Sequence, residues 1–371
     1  MRDFSGSSSY NKIYHWLCLK LIKGVGNSTF LTLLNKFGSV EAVLEADRYE
    51  LETAGLRKDI ITNILKRRYK SDPEKELKRA IDNGARIILY DDPEYPSLLK
   101  EIDYPPMLLY ALGNKIPQDQ FFIAIVGARS ATQYGIRVSQ NISFRLASMG
   151  IGIVSGMARG IDTYAHLGAL RAGGYTVAVL GTGIDVIYPK ENKKIFQNIK
   201  ENGTIITEFS FGTPPDSKNF PMRNRIISGM SKGVLVVEAT ERSGSLITAS
   251  FALNQGREVF AVPGSIESSK SRGTHLLIKQ GAKLVEDIVD ILEEFGIKAE
   301  SSYKGDLKEH TAIKLNPVEK KIYECLSEYP VHIDEIIRNT GIDPAEVLST
   351  LLKMEIKGLI KQMPGKLFIK K

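Results

Sequence analysis

Three short stretches of this chain carry residue types suited to holding an anion. The first is Phe121–Ser130, FFIAIVGARS, in which an apolar run ends at Gly127 and Arg129 follows two positions later. A glycine lets backbone amides approach an anion closely, and a guanidinium offers a planar, permanently charged fork that matches phosphate. The same residues also make an ordinary strand-to-helix turn with a surface arginine, so this stretch alone leaves both readings open. Ser130 adds a hydroxyl. In the second stretch, Ser155–Asp162 (SGMARGID), Ser155, Gly156 and Arg159 are expected to face a crevice. Asp162 would cap a helix starting at Thr163. His166, one turn further on, is read as structural in preference to catalytic.

The third stretch is the richest: Lys218–Ile227, KNFPMRNRII. Lys218 and Asn219 lead into it, and Pro221 suits the first turn of a helix, so Arg223, Asn224 and Arg225 gather near a helix N-terminus. Cations there oppose the helix dipole at a few tenths to about 1 kcal/mol each. A bound polyanion would remove that conflict. Phe220 is either a platform for a nucleobase, worth about 1–3 kcal/mol per base in single-strand binders, or a hydrophobic staple at the helix start.

Other chemistries lack their residues. Neither a GxGxxG fingerprint nor a GxxxxGK[ST] loop occurs, which disfavours NAD and ATP as cofactors. Asp162, Asp185, Glu208 and Glu238 lie near strand ends and Ser243–Ser245 offers hydroxyls, but no histidine is placed to make a serine triad evident. The five histidines and two cysteines, Cys18 and Cys325, have no metal-ligand spacing. The expectation is a non-enzyme with no metal and no cofactor.

For the anion-holding stretches to act together, the fold must bring them to one edge. After Phe121–Gly127, strand candidates recur at Ile151–Ser155, Tyr175–Leu180, Thr204–Phe209, Val234–Ala239 and Glu258–Val262, separated by helical stretches. That alternation predicts βα repeats and a parallel sheet. Gly127, Gly156, Gly181 and Gly264 end strands, and on one sheet edge they would form a floor that something flat or anionic can approach.

Five segments follow. Residues 8–70 read as helical, with Gly24-Val25-Gly26 turning between two helices in a helix-hairpin-helix or SAM-like manner. Such a turn either offers amides to a DNA phosphate or simply turns the chain. Residues 71–106 form a connector with a short strand at Ala85–Tyr90 and dense prolines, 107–297 the Rossmann-like α/β domain, and 298–315 a polar linker. Residues 316–371 predict a winged helix, with Asp343 capping its third helix and Pro364-Gly365 at the wing tip. That helix carries Glu346, Lys353 and Glu355 instead of a basic stripe, so base reading is not expected of it; the basic wing leaves duplex contact and protein docking equally open.

The chain has 371 residues, 43% hydrophobic, and 50 Lys plus Arg against 43 Asp plus Glu give it a net charge of +7. That excess permits a nucleic-acid partner without requiring one. No signal-peptide core and no apolar run of spanning length occur, so a cytoplasmic protein without a membrane span is expected.

Taken in order, IVGAR, SGMARGID with AHLGAL, LGTGIDVIYP, TEF, FPMRNRIISGMS, VVEA with SGSLITA, VPG and GTHLLIKQGA resemble the DNA-processing protein A family, also called DprA or Smf. The resemblance implies a dimerising Rossmann-like core that binds single-stranded DNA, protects it, and helps load RecA recombinase during natural transformation. It carries the family's phosphate-binding Gly-x-Arg onto Gly127 and Arg129, with Ala128 where serine is usual, and FPxRNR onto Phe220–Arg225. His275 stands where an asparagine is expected. The DNA-binding set is therefore Gly127, Arg129, Ser130, Ser155, Gly156, Arg159, Lys218, Asn219, Phe220, Arg223, Asn224, Arg225 and Gly264. A phosphoribohydrolase-like nucleotide enzyme is the rival, but its PGGxGTxxE segment is absent: Glu241–Leu246 reads ERSGSL. A protein-interaction scaffold is the other.

Overall fold

The computed structural model describes residues 8–298, 315–327 and 330–370. Two compact units divide them, one holding residues up to 131 with 135–291, the other 132–134 with the residues from 292 onward. Residues 299–314, nearly all of the expected linker, lie outside the described residues.

The first unit begins with helices α1 (Ser8–Leu21), α2 (Asn27–Phe37), α3 (Val40–Glu45), α4 (Arg48–Thr53), α5 (Lys58–Leu65) and α6 (Pro73–Asp82). Their starts are chemically marked: Ser39 caps α3, Asp47 and Glu50 form a capping box on α4, and Asp72 caps α6 with Pro73 in its first turn. Strand β1 (Arg86–Leu89), the short helix α7 (Ser97–Lys100) and β2 (Leu108–Gly113) lead into β3 (Phe122–Val126). From there strands and helices alternate: α8 (Gln133–Ser148), β4 (Gly152–Ser155), α9 (Ile161–Arg171), β5 (Thr176–Val179), α10 (Lys193–Asn202), β6 (Thr204–Thr207), α11 (Asn219–Gly229), β7 (Gly233–Val236), α12 (Gly244–Asn254), β8 (Glu258–Ala261), α13 (Arg272–Lys279), β9 (Lys283–Leu284) and α14 (Ile288–Glu294).

All nine strands join one sheet in the order β1-β2-β6-β5-β4-β3-β7-β8-β9. From β6 to β9 the neighbours are parallel, with β3 pairing β4 on one side and β7 on the other. Every residue of β3 is buried, because helices cover both faces and no side of the strand meets water. The chain leaves β3 toward β4 and returns to its other side only at β7. Loops diverging from such a switch point open a crevice at the strands' carboxyl ends.

The strand over Leu108–Gly113 goes beyond the sequence expectation. Pro105 and Pro106 stop just short of it, so β2 is free to pair antiparallel with β6, Ala111 opposite Ile206, while β1 pairs β2 as the edge. One core then runs from Trp16, Leu17, Phe30 and Ile61 of the helices to Tyr110, Leu180 and Phe211 on the sheet side. Glu76 of α6, buried, accepts hydrogen bonds from the Tyr110 hydroxyl at 2.8 Å and the Phe211 amide at 2.9 Å, which fixes α6 against the sheet.

The second unit holds α15 (Pro317–Cys325), β10 (Val331–His332), α16 (Ile333–Thr340), α17 (Pro344–Ile356), β11 (Ile360–Met363) and β12 (Leu367–Lys370) around Ile322, Ile336, Val347, Leu351 and Phe368. Asp343 caps α17 through the amides of Ala345 and Glu346, and Pro364-Gly365 turns the β11–β12 hairpin, a winged helix as expected. The outer side of α17 is apolar at a four-residue spacing, Leu348, Leu352 and Ile356 being exposed.

Candidate functional site

At the carboxyl edge of the sheet, the loops after β3, β4, β5 and β7 and the start of α11 enclose two adjoining cavities. The larger, of ≈ 510 Å³, is lined by Gly127, Arg129, Asp162, Phe220, Asn224 and the Ser243–Ser245 turn among others. The smaller, of ≈ 230 Å³, is lined by Ser130, Gly156, Arg159, Leu180, Gly181 and Pro189 among others. Arg129, Tyr188, Phe220 and Arg223 border both.

Arg129 is exposed, and its guanidinium sits over the Phe220 ring at 5.1 Å from the centroid. Among the described residues no carboxylate forms a salt bridge with it, and Asp162 is coupled to it only at longer range. Arg223 behaves differently. Only 3% exposed, it donates to the carbonyls of Gly156, at 2.5 Å, and Val179, tying the ends of β4 and β5 together. Burial, with the nearby Arg129 charge adding, pushes its pKa down to about 10, against the pull of Asp162, so it stays protonated at neutral pH. Gly156 is required there, because a Cβ would run into that guanidinium.

Asp162 does not cap α9. The helix starts one residue earlier, at Ile161, and Asp162 lies buried in its first turn, accepting from the Gly156 and Ala158 amides at 3.1 and 3.4 Å. Burial raises its pKa, and Arg223 together with those amides opposes the rise. Asn192 donates to the Met157 carbonyl at 2.9 Å and fixes the same loop. His166 is structural: fully buried, with Nδ1 2.8 Å from the Thr176 hydroxyl, its pKa is driven down to about 3 by burial and Arg223.

Of the thirteen residues expected to contact DNA, the crevice gathers Gly127, Arg129, Ser130, Gly156, Arg159, Phe220, Arg223 and Asn224. Arg159 is engaged by Glu191, and the Ser130 carbonyl by the Lys270 ammonium. Five lie outside the lining. Ser155 is fully buried inside β4 and donates its hydroxyl to the Ile125 carbonyl at 2.6 Å. Lys218 and Asn219 stand at the foot of α11, Lys218 exposed with its amide on Asp216. Gly264 packs against α13, its carbonyl 3.1 Å from Nε2 of His275.

Arg225 points the other way. Two residues beyond Arg223, it is about 200° further round the helix, and its Nη2 meets Oε2 of Glu208 at 2.5 Å, both side chains 8% exposed. Glu208 also accepts from Asn27 of α2 at 3.1 Å, and its carbonyl accepts from the buried Lys20 ammonium of α1. The Gly24–Gly26 turn is thereby flanked by contacts to the sheet side. The helix-dipole conflict expected at α11 is met inside the protein: carbonyls and Asp162 offset Arg223, and Glu208 offsets Arg225.

Tyr188 and the Ser243–Ser245 turn are among the lining residues outside the expected DNA-binding set. Tyr188 rests on Phe220 at 5.6 Å between centroids. The available signal was positional: both lie in loops that follow parallel strands, where binding groups concentrate.

The family model for DNA recombination-mediator protein A matches residues 86–296, and that for the DprA winged helix domain matches 308–366. Protein Smf of Synechocystis sp. is 35% identical over 385 residues, covering 95% of this chain and 97% of that protein. The X-ray structure of DNA processing protein A from Streptococcus pneumoniae superposes with a TM-score of 0.68 at 36% identity, covering 77% of this chain and 98% of that one. A structure of DNA processing protein A from Helicobacter pylori, described for its single-stranded DNA binding mode, gives a TM-score of 0.52 at 29% identity, over 57% of this chain and 95% of that one.

Proposed function

The chain belongs to the DNA recombination-mediator protein A family, and from that premise we propose that its switch-point crevice holds the sugar–phosphate chain of single-stranded DNA. The observation that carries this is Arg129: an exposed guanidinium that makes no salt bridge among the described residues, braced on Phe220 where two cavities meet. The buried positive charge of Arg223 lies behind it and adds to the field that a phosphate would meet. Binding through backbone phosphates is sequence-tolerant and weakens with salt, because each neutralised phosphate releases condensed counterions.

On this reading the protein is a non-catalytic mediator. It acts as a homodimer, protects incoming strands during DNA uptake and helps RecA recombinase nucleate on them; family membership supports this, as does the Helicobacter pylori structure's title for the DNA itself.

The test is fluorescence anisotropy of labelled oligo-dT against a duplex of equal length at several salt concentrations, with wild type and Arg129→Ala side by side. Single strands should bind preferentially. Arg129→Ala should weaken binding and lower the slope of log affinity against log salt by about 0.7, the value for one phosphate contact on a single strand. An unchanged affinity and slope overturns the assignment. Nucleation assays with RecA on oligo-dT, with and without the protein, test the mediator step.

A further inference from the structure

Phe220 is the obvious aromatic for a nucleobase, yet its ring is already engaged. Arg129 stands over it at 5.1 Å, Tyr188 rests against it at 5.6 Å with 36° between planes, and Gly181 lies so close that a Cβ would sit 2.7 Å from Phe220 Cδ1. Tyr188, in contrast, is 39% exposed and borders both cavities. Its loop is held in place: the Thr182 hydroxyl donates to the Val186 carbonyl at 2.7 Å, and Asp185 accepts from the Gly212 amide at 2.8 Å.

Both cavities carry cations, and the smaller one adds flat walls. Around Tyr188 the smaller one is walled by Leu180, Gly181, Pro189 and Phe220, flat or apolar surfaces, and Arg129, Ser130, Arg159 and Arg223 line the rest of it. The face of a base fits the flat walls beside Tyr188, and the arginines suit the phosphates that flank that base. The larger cavity offers Asn224 and the Ser243–Ser245 turn, polar groups that suit sugar and phosphate.

Resting on the crevice reading above, we propose that Tyr188 is the base-stacking residue of this site, and that the smaller cavity is a nucleobase subsite beside the backbone track. Phe220 is then the support that braces Tyr188 and Arg129. The subsite takes any base, since stacking uses the ring face.

The experiment crosslinks wild-type protein to oligo-dT carrying single 5-iodouracil substitutions, maps the modified peptide, and compares Tyr188→Ala and Tyr188→Phe on oligo-dT and on an abasic oligomer of the same length. The crosslink is expected at Tyr188. Tyr188→Ala should weaken oligo-dT roughly 5- to 100-fold, the range for losing one stacked base. The abasic oligomer should be unaffected by it, and Tyr188→Phe should bind like wild type. A crosslink at Phe220 with Tyr188→Ala unchanged overturns the subsite, as does an equal loss on both oligomers. Either result, with Arg129→Ala still impaired, leaves the crevice assignment standing. Failure of wild type to bind oligo-dT at all overturns the crevice assignment, and the subsite falls with it. Because the crosslink is made on the unaltered protein, misfolding of a variant does not blunt the test.

Discussion

Replacing Arg225 should cost the protein stability and spare its affinity for single strands, although the residue sits two positions from the crevice-lining Arg223. Its guanidinium and the Glu208 carboxylate meet at 2.5 Å with both side chains 8% exposed, and the Lys20 ammonium is bonded to the Glu208 carbonyl in the same buried place. Arg225 is therefore paired directly with the carboxylate, while Lys20, bonded to the carbonyl, feels the carboxylate's charge without touching it. Removing one partner of a buried pair costs about 3–5 kcal/mol, because the other charge is left without compensation. Arg225→Gln leaves Lys20 to balance Glu208 and should fall near the low end, about 3 kcal/mol. Glu208→Gln strands both cations and should reach about 5 kcal/mol. At roughly 2 °C per kcal/mol for a unit of this size, the melting temperature should drop by about 6 and 10 °C respectively. Lys20→Met added to Glu208→Gln should restore part of the loss. Melting followed by circular dichroism gives the order, and anisotropy with oligo-dT well below the transition gives the affinity of the folded protein. An Arg225→Gln protein as stable as wild type but weak on oligo-dT would refute the argument and return Arg225 to the DNA contacts. A Glu208→Gln protein more stable than Arg225→Gln would refute the charge balance.

The same cluster predicts a pH dependence. Burial holds Lys20 at about 8, below its ordinary 10.5, so between those values the unfolded chain carries a proton that the folded chain lacks, and stability rises with pH across that window. The full rise is about 3 kcal/mol, and Lys20→Met should flatten the part of it seen in urea midpoints measured from pH 8 to 9, below the range where tyrosines exposed by unfolding begin to lose protons. Gly156→Ala drives a methyl group into the Arg223 guanidinium. Overpacking of this kind costs about 1–3 kcal/mol, and since Arg223 ties the ends of β4 and β5, oligo-dT affinity should fall with it; a variant that matches wild type in both melting and anisotropy removes Arg223 from its clamping role.

How far these features were legible from the chain alone depends on how local their causes are. The βα repeats were, because strands buried on both faces write themselves as continuous apolar runs, as in Phe122–Val126. Leu108–Gly113 is just as apolar, but its being a strand depends on β6, nearly a hundred residues later in the chain. Arg129 could be placed because it follows a strand end directly. Arg223 and Arg225 could not be told apart by composition; helical phase separates them, and their partners Gly156, Val179 and Glu208 come from the ends of three different strands, β4, β5 and β6. That difference decides what a cluster of cations means. Three arginines near two helix starts invite the reading that a polyanion must neutralise them all, yet carbonyls already hold one and a carboxylate another. What identifies Arg129 is that, exposed at the mouth of two cavities, it makes no salt bridge among the described residues and feels Asp162 only at longer range. On the reading proposed above, a phosphate chain supplies its counter-charge from outside.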